Sequence, residues 1–336
     1  MQTADSNTRL VLVKILKILH KFVDTELSLH LILFSEKSYL VVTGGMNTVD
    51  LGAKKTVEVL EEPDCILPPL SYESTGHFMA MTSDTKNVLV CGGEAKRGHS
   101  NMCFQLDLQN NRWTWHSNMT HPRNQAVVVA MDSGIYVFGG MRSETTSNFL
   151  PMEGKSWIGS IPIPGGVYSA CGLRISDREI MLIGGGSNNS KRIITLNTGT
   201  YEWQWRNFSK ELEVGRSAHS CVLIGDKIMV IGGSDTHGHS ISDTEIIPLD
   251  PSQPTIHASL YVPRKYFGVA ILQDGQDSRL LAFGGVDSSG YAVSSVEEWN
   301  ELDQDWKHLQ ITLSENKMNF GYLVISDSSL CGKSRL

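Results

Sequence analysis

GIYVFGG (134–140) is a short apolar run closed by a glycine pair, and the same figure recurs along the chain. The other copies are YLVVTGG (39–45), NVLVCGG (87–93), EIMLIGG (179–185), KIMVIGG (227–233) and RLLAFGG (279–285). The first glycines of successive pairs stand 45 to 52 residues apart. Such a period marks a repeat architecture, in which each unit buries its faces only against its neighbours. A phosphate-cradling loop is the other reading of a glycine pair after a strand. Six recurrences, with neither G-x-G-x-x-G nor a following helical pattern, speak against it.

The rest of each repeat keeps the same order. Another apolar run precedes each glycine pair: HLILF (30–34), HFMAM (77–81), QAVVVAM (125–131), YSACGL (168–173), HSCVLI (219–224) and YFGVAIL (266–272). After the pair come a variable loop, an apolar segment, a turn and often a Trp, as in CFQLDLQNNRWTW (103–115), FLPMEGKSW (149–157), IITLNTGTYEW (193–203) and VEEWNELDQDW (296–306). That makes four short strands per repeat. Runs such as VVVAM are apolar throughout, as expected of strands buried on both faces. Glycine at the end of an inner strand supplies a positive φ and leaves room for the aromatic of the neighbouring unit. The reading is an all-β ring of radially stacked, four-stranded antiparallel sheets, a β-propeller. A length of 336 residues suits one such closed domain.

With three elements recurring in register from residue 30 to about 325, the chain resembles the kelch-repeat β-propellers. It is most similar to divergent animal kelch proteins without an attached BTB or F-box domain. Their VEVL segment, Cys with a Leu-Pro-rich stretch, and CGG stand here at Val57–Leu60, Cys65–Leu70 and Cys91-Gly92-Gly93. The resemblance implies a non-catalytic protein-binding scaffold or adapter. In kelch adapters the loop before each inner strand holds a partner's peptide around the central cavity. Carried over by position, the candidates are Arg123 and Asn124 in HPRNQ (121–125), Arg216 and Ser217 in VGRSA (214–218), Arg264 and Lys265 in VPRKY (262–266), with Tyr72 and Glu73. Such a rim would favour an acidic partner segment through charge-assisted contacts. The plainer alternative is that these arginines pair with acidic groups between blades.

Closure of the ring admits two forms, because NFGYLVISD (319–327) repeats the inner-strand pattern without a following glycine pair. It either completes a six-bladed ring at the first blade, the favoured form, or opens a seventh blade finished by the N-terminal segment. The expected division is an N-terminal basic amphipathic segment at 1–27, a propeller at 28–327 and a tail at 328–336. Within the first, RLVLVKILKILHKFV (9–23) places Lys14, Lys17 and Lys21 on one helical face and is too short and charged to span a bilayer. Its expected role is to cap the ring or add a strand. A targeting or membrane role is the alternative.

Composition narrows the function classes. With 40% hydrophobic and 19% charged residues the chain is of the globular type. A formal charge of −7 argues against nucleic acid as partner, which requires a basic face. The cysteines, Cys65, Cys91, Cys103, Cys171, Cys221 and Cys331, show no C-x-x-C spacing, so no zinc site is expected. Cys171 and Cys221 read as small buried hydrophobes, whereas Cys91 and Cys103 flank one loop and could bridge if oxidised. Asn118-Met-Thr, Asn188-Asn-Ser and Asn207-Phe-Ser are glycosylation sequons compatible with secretion. The cytoplasm is the slightly favoured location, with secretion as the alternative. No cofactor is expected. The densest metal-ligand cluster is Asp235, His237 and His239, read chiefly as a polar loop. The second functional reading is a secreted carbohydrate-binding or galactose-oxidase-like propeller, although no Tyr, Cys and His combination has the spacing of a copper radical site.

Overall fold

The computed structural model describes residues 37–82, 85–159, 161–186, 191–199, 204–326 and 330–331. Among them all regular structure is strand, arranged in six antiparallel sheets. The expected segment 1–27 and the run His30–Phe34 lie outside the described residues.

Each sheet is one blade, its strands following one another outward from the axis. Blade 2 holds Thr75–Met81, Asn87–Ala95, Met102–Asp107 and Arg112–Asn118, with a short extra strand, Gly98–His99, on its second strand. Blade 3 holds Val127–Met131, Gly134–Phe138, Ser147–Pro151 and Ile158–Gly159; blade 4 holds Cys171–Ser176, Glu179–Ile183, Ile193–Asn197 and Gln204–Asn207. Blade 5 holds Ser220–Ile224, Lys227–Ile231, Asp243–Pro248 and Ile256–Ser259; blade 6 holds Gly268–Asp274, Asp277–Phe283, Ser295–Asn300 and Asp305–Thr312.

Blade 1 closes the ring. Its sheet runs Val57–Val59, Tyr39–Thr43, Gly321–Ile325, so the C-terminal strand takes the innermost place. That place was expected for His30–Phe34, and the pairing of Tyr39 with Ile325 through Thr43 with Gly321 fills it instead. The six-bladed closure therefore holds. Blade 1 has three strands among the described residues rather than four. Where the outermost strand would run stand Pro68 and Pro69, which lack the N–H donors a ladder requires.

The apolar core is divided into six clusters, one at each blade boundary. Within Tyr39–Thr43, Leu40 and Val42 pack toward blade 6 and Val41 toward blade 2. Alternate residues of one strand thus serve two cores, which is why the inner strands read as unbroken apolar runs. Outer-strand tryptophans reach the preceding blade. Trp113 Nε1 donates to the Pro68 carbonyl (3.1 Å), Trp205 Nε1 to Pro162 (3.2 Å), and Trp306 Nε1 to Thr244 Oγ1 (3.2 Å). Each satisfies its one polar atom while burying ring surface.

The glycine pairs are explained by the same boundaries. The second glycine of every pair donates its N–H to the loop entering the next blade: Gly45 to Ser74, Gly93 to Arg123, Gly140 to Val167, Gly185 to Arg216, Gly233 to Arg264 and Gly285 to Lys317. A Cβ on Gly139, whose φ is +62°, would lie 1.9 Å from the Val167 carbonyl oxygen. At Gly139 the pair accommodates the adjoining backbone, whereas a Cβ on Gly284 would lie 2.6 Å from the Phe320 ring, the aromatic of the next blade.

A second set of bonds circles the axis. The residues opening the inner strands, Gly76, Gln125, Ser169, Ala218, Tyr266 and Asn319, all have positive φ. Each donates its N–H to the carbonyl of its predecessor, and Gly76 donates to Asn319, so the circuit is closed at 2.6–3.0 Å per bond.

Candidate binding face

Antiparallel alternation sends the loops after the glycine pairs, and the connections between blades, to one face of the ring. The turns within each first and last strand pair lie on the other. The first, the Gly-Gly face, carries every residue carried over from the resemblance.

Arg123, Arg216 and Arg264 have no exposed surface. Each reaches down into its own blade rather than out. Nη1 of Arg264 donates to the carbonyls of Gly284 (2.9 Å) and Ser295 (3.1 Å), and Nη2 to Glu297 Oε1 (2.6 Å). Arg216 repeats this with Gly232 (3.1 Å), Asp243 (2.9 Å) and Glu245 Oε1 (2.5 Å). Arg123 repeats it with Gly139, Thr146 and, in place of the carboxylate, Asn148 Oδ1 at 3.0 Å. Burial pushes the Arg264 guanidinium below its ordinary pKa, against the opposing charge of Glu297. The carboxylates are equally committed: Glu297 accepts from the Tyr261 and Val262 N–H, and Glu245 from those of Glu213 and Val214. These arginines hold each interblade connection to its sheet, the plainer of the two sequence readings. The partner within each pair belongs to the same blade, not to a neighbour.

Lys317 completes the pattern in blade 1 and escaped the sequence reading. It is 1% exposed and its Nζ lies 2.6 Å from Glu58 Oε1. The signal was there: Lys317 precedes Asn319 by two residues, as Arg264 precedes Tyr266.

The remaining candidates are only partly accessible. Asn124 is buried, with Nδ2 donating to Glu94 Oε2 (3.1 Å). Ser217 pairs through its backbone with Ser234. Lys265 is half-buried and donates to the Gly238 carbonyl at 2.7 Å. Tyr72 donates to the Gly92 carbonyl (2.8 Å), and burial pushes its hydroxyl up to about 12. Glu73 pairs with Lys96 at 3.3 Å. A channel of about 280 Å³ opens between the inner strands, lined by Gln125, Ser169, Tyr266 and Asn319 among others.

What the Gly-Gly face does expose is an arc of three loops in blades 5, 6 and 1. Asp235 Oδ1 accepts from the N–H groups of His237 and His239 (2.9 Å each), and Asp287 Oδ1 from those of Ser289 (2.9 Å) and Tyr291 (3.0 Å). Asn47 Oδ1 accepts from Val49 (3.0 Å). The acidic residue of the candidate metal cluster is thus a turn former repeated in the next blade. Among the described residues no group of three or more His, Cys, Asp or Glu is placed to hold a metal. Neighbouring loops are tied together: Ser240 Oγ donates to the Val286 and Asp287 carbonyls, and the Ala292 N–H to Thr48 Oγ1 (2.9 Å). From this fixed frame project His237, His239, Tyr291 at 63% exposure, Val49 at 82% and Leu51 at 68%. Sequence reading missed the apolar three because Val49 and Leu51 lie in one polar loop and Tyr291 in another far along the chain.

All six cysteines are in disulfides: Cys65–Cys331, Cys91–Cys103 and Cys171–Cys221. Cys171 and Cys221, expected as unpaired hydrophobes, join the inner strands of adjacent blades. No thiol remains for the Tyr–Cys cross-link of a copper radical site.

The KLHDC2/KLHL20/DRC7 Kelch-repeats domain matches residues 62–233, half of the chain. The chain belongs to the kelch-repeat family. It is 25% identical over 272 residues to Kelch-like protein 15 of Mus musculus, covering 74% of this chain and 43% of the mouse protein. Kelch-like protein 36 of Rattus norvegicus is 23% identical over 239 residues, covering 65% of this chain and 37% of the rat protein. The match thus spans less than half the length of either relative. The solved structure of YjhT superposes on 82% of this chain and 98% of its own with a TM-score of 0.60 at 13% identity, a likeness of fold.

Proposed function

We propose that this kelch propeller is a non-catalytic protein-binding scaffold whose contact surface is the loop arc of blades 5, 6 and 1. The observation that carries the reading is the exposure of Tyr291, Val49 and Leu51 on loops locked by side-chain-capped turns and cross-blade bonds. Aromatic and aliphatic groups on a rigid frame bind without the cost of ordering a loop. The acidic partner expected from a rim of guanidinium groups loses its basis with those groups inside the blades. The contact instead falls to apolar and imidazole side chains.

Site-specific photocrosslinking tests this. A photoreactive residue at Tyr291 should capture a defined protein in cells. The same residue at Leu302, 95% exposed in a turn on the opposite face, should not. Equal capture at both positions, or capture at Leu302 alone, would rule out the arc.

A further inference from the structure

Three cross-links of different kinds use every cysteine in the chain. Cys91–Cys103 joins directly paired neighbouring strands within blade 2. Cys171–Cys221 joins the innermost strands of blades 4 and 5. Cys65–Cys331 ties the segment after the closing strand to the turn beyond Val57–Val59, across 266 residues of sequence. Cysteines retained merely as small hydrophobes would not all fall beside a partner at three unrelated levels of the fold. Fully paired cysteines belong to oxidising compartments.

Two of the sequons carry an independent indication of the same route. Asn118 ends the outermost strand of blade 2 and Asn207 that of blade 4; both are exposed. In Asn118-Met119-Thr120 the middle residue is buried while Asn118 and Thr120 face solvent, and in Asn207-Phe208-Ser209 the middle residue is half-buried between two exposed ones. Asn118 accepts only a 3.3 Å bond from Trp115 Nε1 and Asn207 a 3.5 Å bond from Arg192, through Oδ1 in each case. Neither bond engages the amide nitrogen. Both positions lie on the outermost strands of blades 2 and 4, which do not contribute loops to the arc.

We infer that this ring matures in the secretory route, with all three disulfides formed and N-linked oligosaccharide on Asn118 and Asn207. Each disulfide forms when two thiols give up two protons and two electrons to a disulfide oxidant, which leaves as the dithiol. Each glycan is transferred from a polyprenyl diphosphate-linked oligosaccharide. The sugar C1–O bond to diphosphate breaks, a C1–Nδ2 bond forms, and the amide loses one proton.

The test expresses the full chain in animal cells behind a supplied secretory leader, reading both cell extract and medium. Thiol alkylation should label nothing before reduction and six cysteines after it. Peptide N-glycosidase should convert Asn118 and Asn207 to Asp, and Asn118→Gln and Asn207→Gln should each remove one mobility step. The same chain made without a leader in the cytosol should melt at a markedly lower temperature. Free thiols in the secreted protein, or a cytosolic six-thiol protein melting at the same temperature, would overturn the disulfide assignment. Unmodified Asn118 and Asn207 in the leader-directed protein would overturn the glycan assignment.

Discussion

Replacing Arg264 by Ala distinguishes an internal anchor from a contact residue. The guanidinium makes a 2.6 Å contact with Glu297 Oε1, and both side chains have no exposed surface. At an effective dielectric constant of about 20 the attraction at that distance is of order 6 kcal/mol, from which desolvation of both ions must be subtracted. The substitution leaves the Glu297 carboxylate buried with only the Tyr261 and Val262 N–H groups. It also removes the cation from the Gly284 and Ser295 carbonyls. Breaking a buried pair in this way costs about 3–5 kcal/mol, a large share of the stability of an ordinary domain. With a urea dependence of about 3 kcal/mol/M, the unfolding midpoint should fall by about 1–1.7 M. Equilibrium urea denaturation followed by tryptophan fluorescence measures it. The pair replacement Arg264→Met with Glu297→Leu should recover most of the loss, because no unpaired charge is left inside. A midpoint within ~0.2 M of the parent for Arg264→Ala, together with lost partner capture, would refute the anchor role and restore a surface one.

Acid should unfold this ring early. Burial holds His77 down to about 4 and His219 to about 3, the latter also through the nearby Arg216 charge, against 6.5 for a free imidazole. The unfolded chain then binds more protons between these values. Stability is full above pH ~6.5 and falls by roughly 2.7 kcal/mol per pH unit as both imidazoles are forced to charge. The slope of urea midpoint against pH between 6 and 4.5 should be roughly halved by His219→Gln, and an unchanged slope would remove His219 from the account. For Cys65–Cys331, the chain-entropy relation applied to a separation of 266 residues gives an upper bound near 5–6 kcal/mol. Cys331→Ser should therefore lower the melting temperature of the oxidised protein and leave that of the fully reduced protein unchanged, as differential scanning calorimetry would show.

The repeat, the four-strand blade and the closing role of Gly321–Ile325 were readable because each leaves a local pattern of period 2 or of fixed spacing. The direction in which Arg123, Arg216 and Arg264 point was not. Position in a repeat places a residue in a loop, but the carboxylates at Glu245 and Glu297 and the amide at Asn148 that draw these side chains inward lie 25 to 33 residues away. Cys171 and Cys221 are an inner-strand pair on adjacent blades, and their nearness follows from ring packing rather than from sequence spacing. The arc of Tyr291, Val49 and Leu51 was hidden for the same reason. Val49 and Tyr291 are 242 positions apart in the chain and become neighbours only because blade 6 meets blade 1.

The circuit of hydrogen bonds through Gly76, Gln125, Ser169, Ala218, Tyr266 and Asn319 runs in one rotational sense and returns to its start. Aligned peptide groups in a helix add along a line and leave partial charges at its two ends. Set head to tail around a closed polygon, the tangential components of the same dipoles cancel. The circuit therefore brings no end charges to the axial channel, and any preference for ions or polar solutes entering there must come from side chains such as Gln125, Ser169 and Asn319.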